Sequence, residues 1–353
     1  MARYLALRVL QAIWVLWAAF TISFVVLYLL PADPVSIAAD AGGAGTPVDK
    51  AAVAELQARY GLDRPLWEQY CTALGHAVRG DLGHSISSGQ TVTGAIGDAA
   101  PDTLALAGLA LLFAVLGGVA LAFAATYTRR PWLRDTLAGL PSLGVAVPTF
   151  WTGLLLLQLF SFHWRLVPAF GGRGFAGTVL PALTLAIPIG AVLAQVLSAG
   201  LESTWRQPFV DVARAKGGSR LWVQRTHVLR PASVPTFTIA GVLVGNMLAG
   251  SVVVETVFAR PGLGRITQAS VLSQDIPVVQ GIVLVTALVF VTVNLAVDLL
   301  YPLLDPRIAG RARGGGFTGV EKDAEAEKGA GGEFESDARA EASAGVVEVG
   351  SRG

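Results

Sequence analysis

Four lysines, four histidines and one cysteine are the side chains with which this 353-residue chain could hold phosphate, ligate a metal or attack a carbonyl, and their neighbours decide among these chemistries. A phosphate-cradling loop ends in Gly-Lys-Ser or Gly-Lys-Thr, the lysine reaching the β- and γ-phosphates and the hydroxyl holding magnesium. Lys50, Lys216, Lys322 and Lys328 are followed instead by Ala, Gly, Asp and Gly, so the sequence carries no such ATP-hydrolysing loop. The run Gly172-Arg173-Gly174-Phe175-Ala176-Gly177 matches the dinucleotide pattern Gly-x-Gly-x-x-Gly, yet no strand precedes it and it reads as a flexible turn. His76, His84, His163 and His227 are scattered, with no two at the spacing that sets paired ligands on one helix face. Cys71 stands alone, which excludes an intrachain disulfide, and it is expected to be a small buried residue. No nucleophile with a positioned base is legible. The chain reads as a non-enzyme that uses no cofactor and no metal.

What must be positioned is therefore a path or a surface rather than a reacting group, and the elements available to do it are apolar. Hydrophobic residues make up 53% of the chain and charged residues 14%, against about 25% charged in a soluble domain. Apolar windows at 9–30, 103–127, 137–162, 179–201, 237–258 and 278–303 each approach or exceed the ~20 residues that cross bilayer hydrocarbon. Only helices and closed barrels satisfy their backbone in lipid, and these windows lack the alternation of barrel strands. The fold class is thus all-α, a polytopic membrane protein with six spanning helices. The first window, within 1–30, outlasts the ~7–15-residue apolar core of a secretion leader and is expected to stay as a membrane helix.

Orientation follows from Lys and Arg near the span ends, because loops on the cytoplasmic side hold the excess. The denser set is Arg3, Arg8, Arg129, Arg130, Arg134, the cluster Arg206, Arg214, Lys216, Arg220, Arg225 and Arg230, and then Arg307, Arg311 and Arg313. Both termini are accordingly expected in the cytoplasm, with 31–100 an extracytoplasmic subdomain and 101–306 the membrane core. Within the subdomain, Gly42, Gly43, Gly45 and Pro47 read as loop and 48–60 as an amphipathic helix closed by Gly61. The tail, 307–353, is acidic and Gly-rich and cannot bury enough surface to fold.

Inside the spans, Glu255 and Asp298 stand toward helix ends, and the middles hold only the amides Gln158, Gln195, Asn246 and Asn294, expected to bond between helices. A proton- or sodium-driven carrier keeps ionisable groups near the midplane, so no engine is visible here. Asn246, beside Gly241, Gly245 and Gly250, and Gln195 are the candidates for lining a path. The internal segment 202–235 reads as two short helices. Pro208 suits a first helical position, Arg214 and Lys216 a last turn, and Gly217 the left-handed cap. Ser219 then caps a second helix with Leu221, Trp222, Val228 and Leu229 on one face and Pro231 as its stop. By composition this pair reads as an interfacial element on anionic lipid.

Several motifs recur in a telling order: Leu30-Pro31-Ala32-Asp33-Pro34; Tyr60-Gly61-Leu62-Asp63-Arg64-Pro65-Leu66-Trp67 with Gln69-Tyr70; Arg79-Gly80-Asp81-Leu82-Gly83; Pro148-Thr149-Phe150-Trp151; Leu180-Pro181-Ala182-Leu183-Thr184-Leu185. They continue with Ala213-Arg214-Ala215-Lys216-Gly217, Val254-Glu255-Thr256-Val257-Phe258, Pro261-Gly262-Leu263-Gly264-Arg265 and Leu304-Asp305-Pro306-Arg307. Together, over about 3–307, the chain resembles the inner-membrane permeases of binding-protein-dependent ABC importers, specifically the first permease of dipeptide, oligopeptide and nickel systems. The resemblance implies a type I importer permease in the cell membrane, surrounded by membrane lipid and binding no nucleic acid. It would work with a second permease, one or two cytoplasmic ATPase subunits and an extracytoplasmic substrate-binding lipoprotein.

The resemblance further implies that Asp211, Ala213, Arg214, Ala215, Lys216 and Gly217 belong to the EAA loop, whose short helix docks into a cleft of the ATPase. Asp211 stands where that motif commonly has Glu, and the match weakens at 227–231. Pro261, Gly262, Gly264 and Arg265 would face the binding protein. The implied cargo is short peptides. Nickel or another small solute is the alternative within the family, and a self-sufficient channel or carrier the alternative outside it.

Overall fold

The structure, a computed structural model, describes residues 2–29, 63–169 and 174–304; the loop and helix expected at 42–60 and the tail 307–353 lie outside the described residues. The chain divides into two units, Met1–Asp298 and Leu299–Gly353, the second contributing only the last residues of the final helix to the described chain. The helices are α1 (Ala2–Leu29), α2 (Leu66–Val78), α3 (Val92–Tyr127), α4 (Pro131–Ala146) and α5 (Thr149–Leu156), which runs on as a π-helical segment Leu157–His163. Then come α6 (Phe175–Trp205), α7 (Pro208–Ala215) and α8 (Arg220–Val223), which passes through a π-helical segment Gln224–Val228 into α9 (Leu229–Val257). α10 (Leu263–Leu272) and α11 (Ile276–Leu304) complete the order.

Why α3 and α6 form the heart of the molecule is written in their small residues. α3 buries Ile96, Ala99, Thr103, Leu106, Ala110, Ala114, Gly118, Ala122 and Ala125, steps of three and four that mark one face of a 3.6-residue helix. Along that face the backbones nearly touch: a Cβ on Gly118 would stand 2.7 Å from the Gly190 carbonyl oxygen, and one on Gly190 3.0 Å from that of Ala114. Lipid gives helices no hydrophobic reason to associate, so close packing across small residues has to do it. α6 is the central helix, with 61% of its most apolar window buried against 22% for α3 and 11% for α1. The other walls, α4, α5 and α9, pack on α6.

α1, α3, α6 and α11 are long and apolar enough to cross a membrane, and the count reaches six if each of two bent pairs is one span. One pair is Pro131–Ala146 with Thr149–His163, bent by 104°; the other is Arg220–Ile239 with Gly241–Val257, bent by 48°. The window at 137–162 is therefore not a straight helix. Val147 (ψ 126°) and Pro148 (ψ 135°) are both extended, because a proline ring disfavours helical backbone in the residue before it.

Further expectations are corrected by packing. Cys71 is exposed rather than buried. Its neighbour Tyr70 faces α1, with its hydroxyl 2.8 Å from Thr21 Oγ1 and its ring 5.8 and 5.3 Å from those of Phe20 and Phe24. The amides do not bond between helices among the described residues: Asn294 Nδ2 donates to the Phe290 carbonyl of its own helix at 2.9 Å, while Gln158, Gln195 and Asn246 are exposed. The glycines around Asn246 serve packing. A Cβ on Gly241 would collide with Asn294, one on Gly245 with the Phe290 ring at 2.8 Å, and one on Gly250 with Leu185 at 2.9 Å. In the run at 172–177, the described part is an N-cap, Gly174 at φ +80°, followed by the first turn of α6.

Candidate functional site

The segment from Pro208 to Ser219 folds as its local chemistry dictates. Pro208 opens α7, Asp211 lies in its first turn and Arg214 in its last, each charge complementing the helix dipole. Gly217 takes φ +85°, donating to the Arg214 carbonyl at 2.9 Å while Gly218 donates to that of Ala213 at 3.2 Å, the paired closure of a glycine-capped helix. Ser219 Oγ accepts from the Trp222 amide at 3.3 Å and starts α8. Asp211, Arg214, Ala215, Lys216 and Gly217 are exposed and Ala213 is half-buried.

Beyond Ser219 two expectations fail. Pro231 does not stop the helix; Gln224–Val228 widens to a π-turn, with the Leu229 amide bonded to the Gln224 carbonyl, and α9 continues to Val257. A proline ring clashes with the carbonyl four residues earlier, and a π-turn there shifts the bonding by one residue so that the helix persists. Nor do Leu221 and Trp222 share one face with Val228: Val210, Val223, Gln224 and Val228 are buried, whereas Phe209, Val212, Leu221 and Trp222 are about half exposed. An open groove of about 780 Å³ results, lined by Phe209, Val212, Lys216, Gly217, Trp222 and His227 among others.

What holds this segment was not legible beforehand. Arg220 Nη2 donates to the Thr126 carbonyl at 2.9 Å, and Gln224 Nε2 to the Thr126 hydroxyl at 3.0 Å. The Arg220 guanidinium also lies over the rings of Tyr127 and Trp205, at 5.7 and 5.6 Å, a favourable cation–aromatic placement. α8 is thus pinned to the last turn of α3.

At the other end of α3, the Pro261–Arg265 stretch wraps a buried carboxylate. Glu255, with no exposed surface, accepts from the Thr103 hydroxyl at 2.6 Å and from the amides of Gly264 and Arg265 at 2.7 and 3.4 Å. Those amides are orphan donors in the first turn of α10, and Thr103 Oγ1 takes a third, from Leu263, at 2.8 Å. Gly262 and Gly264 are buried and leave no room for a side chain, which would strike the Glu255 carboxylate and the Val252 backbone, whereas Pro261 and Arg265 are exposed. Arg260 joins in, donating to Asp102 at 3.1 Å and to the Gly177 carbonyl at 2.9 Å.

A second buried carboxylate, Asp275, ties the loop before α3 to the start of α11. It accepts from the hydroxyls of Ser85 and Ser87, at 2.5 and 2.7 Å, and from the amides of Ile86 and Ser87, at 3.1 and 3.2 Å. In the same loop region Asp81 is exposed, and its carboxyl is held below the usual value by the Gly83 amide and then by His76. The candidate path residues Gln195 and Asn246 are exposed on α6 and α9 and share no hydrogen bond.

No group of three or more metal-binding side chains occurs among the described residues. Apolar helices around a small-residue core, an exposed apolar groove at one end and a polar clasp at the other define a multi-pass α-helical membrane protein. Residues 99–310 match the family described as binding-protein-dependent transport system inner membrane component, and residues 1–107 match its N-terminal counterpart. The chain belongs to this family of ABC importer permeases.

Its relatives include the glutathione transport system permease protein GsiC of Escherichia coli O6:H1, 34% identical over 308 residues that cover 87% of this chain and 99% of the relative. The GsiC protein of Salmonella typhimurium is 35% identical over the same length. Among solved structures, the inward-facing MetNI methionine ABC transporter aligns with 59% of this chain and 95% of its own, at 16% identity and a TM-score of 0.48.

Proposed function

We propose that this permease pairs with a second one to form the path by which an ATP-driven importer admits short peptides, glutathione-sized or somewhat larger. The observation that carries the peptide reading is the end-to-end likeness to glutathione permeases. The orientation that fits has the α7–α8 segment in the cytoplasm, where arginines gather, and the α10 clasp outside. An ATPase subunit then docks on α7 through Asp211, Ala213, Arg214, Ala215, Lys216 and Gly217, with Phe209 and Trp222 as apolar anchors. A binding lipoprotein delivers cargo at the surface bearing Pro261 and Arg265, and Gln195 and Asn246 line the path between the permeases.

Half-exposed aromatics beside a basic helix end are what a protein partner covers. Two tests settle the reading. The tagged chain, purified with its neighbours in mild detergent, is expected to retain a second permease and an ATPase, and Arg214→Glu to lose the ATPase. Liposomes with the full complex should accumulate labelled dipeptide or glutathione only with ATP and binding protein. Nickel uptake instead would overturn the cargo, and transport by the lone chain would overturn the importer mechanism.

A further inference from the structure

We propose that α3 is the rod that carries movement of the α7–α8 segment to α10, with Thr126 and Thr103 as the positioning residues at its two joints. This rests on the permease reading above. Two other routes between the two ends are bent, the α4–α5 pair by 104° and the pair from α8 through α9 by 48°; α6 is unbroken as well, but among the described residues no side-chain hydrogen bond ties it to α8 or to α10, whereas α3 is bonded to both. Bends and π-turns absorb displacement, whereas α3 runs unbroken from Val92 to Tyr127.

Both joints are polar and buried, which makes them costly to open. At one, the Thr126 carbonyl and hydroxyl receive Arg220 and Gln224, and Gln224 has no exposed surface. Pulling α8 away would strip the buried Gln224 amide of its partner, so α3 follows. At the other, the Thr103 hydroxyl donates to Glu255 and accepts from the Leu263 amide, beside the Arg260–Asp102 pair. If α3 shifts, the first turn of α10 and the end of α9 shift with it. The joints stand about 35 Å apart at a rise of 1.5 Å per residue, the thickness of the membrane. ATP hydrolysis at one face and the binding protein at the other thus sense each other through one helix, as rigid-body coupling requires.

The test is ATP hydrolysis by the full complex in liposomes, with and without loaded binding protein. Thr126→Val and Thr103→Val keep the side-chain shape and remove the joint's hydroxyl; Thr126→Ser and Thr103→Ser restore it. Expected are normal assembly and unstimulated hydrolysis, with stimulation by binding protein falling about five-fold or more, the lower range of common coupling energies. The serine variants should recover it. The double valine variant should be no worse than the weaker single one, because both cut the same rod. Unchanged stimulation in the valine variants, multiplying effects in the double variant, or loss of assembly would each overturn the inference. A wild-type complex with no stimulated hydrolysis would overturn the permease reading itself.

Discussion

The two ends of α3 treat polar and apolar groups in opposite ways. At the α10 end two carboxylates are buried and bonded internally: Glu255 caps α10, and Asp275 is enclosed by Ser85, Ile86 and Ser87. At the α7–α8 end, Phe209, Val212 and Trp222 lie open beside Arg214 and Lys216. Buried charge persists only where its partners are complete, so the first end is made to hold one shape. Half-exposed aromatics gain by being covered, so the second end offers the surface on which the proposed ATPase would dock.

Substitutions should separate the two ends, and the largest contrast is between Glu255 and Trp222. Glu255→Ala bares the first-turn amides of α10 and the Thr103 hydroxyl in a buried site, a cost of about 3 kcal/mol. The melting temperature of the detergent-purified chain should fall accordingly. Trp222→Ala, at a half-exposed site, should move stability by only about 0.5 kcal/mol while releasing the ATPase on purification. If Trp222→Ala destabilises as much as Glu255→Ala, the two ends do not differ in kind.

A finer contrast lies within the clasp. A methyl at Gly264 would collide with the Val252 Cα, where only backbone can yield; at Gly262 it would meet the end of the Glu255 side chain. Overpacking against backbone costs about 1–3 kcal/mol. Gly264→Ala should therefore lower the melting temperature more than Gly262→Ala, and the reverse order would mean that the carboxylate, not α9, sets the fit.

The same division explains what could be read from the sequence. Local rules place Pro208, Gly217 and Ser219 where the structure has them, since each acts within one or two turns. The family motifs, likewise contiguous, mark both ends. The pairings that give those motifs their structural meaning are not local: Thr103 meets Glu255 across 152 positions, and Ser85 meets Asp275 across 190. Averaged hydropathy also hides breaks, so the extended Val147–Pro148 step vanished inside an apolar window although the proline announced it. Pro231 misled in the opposite sense, because a π-turn relieved the clash that should have ended the helix.

The smallest expected effect is an acid-dependent one, in the exposed loop before α3. Asp81 Oδ1 accepts from the Gly83 amide at 3.0 Å, and Oδ2 lies 2.9 Å from His76 Nδ1. These bonds favour the carboxylate, the backbone bond most, and lower its pKa from the usual 3.8. A carboxyl lowered on folding contributes stability that is complete above its unfolded value and disappears as pH falls through the folded one. As pH falls from about 4 through the folded value, the wild-type chain should lose slightly more thermal stability than Asp81→Asn, which cannot titrate. The difference should be small because the site is exposed and solvent screens it. Equal acid sensitivity in the two proteins would mean that this turn keeps its shape without the charge, and that the stiffness of the α10 end begins only at Ser85 and Asp275.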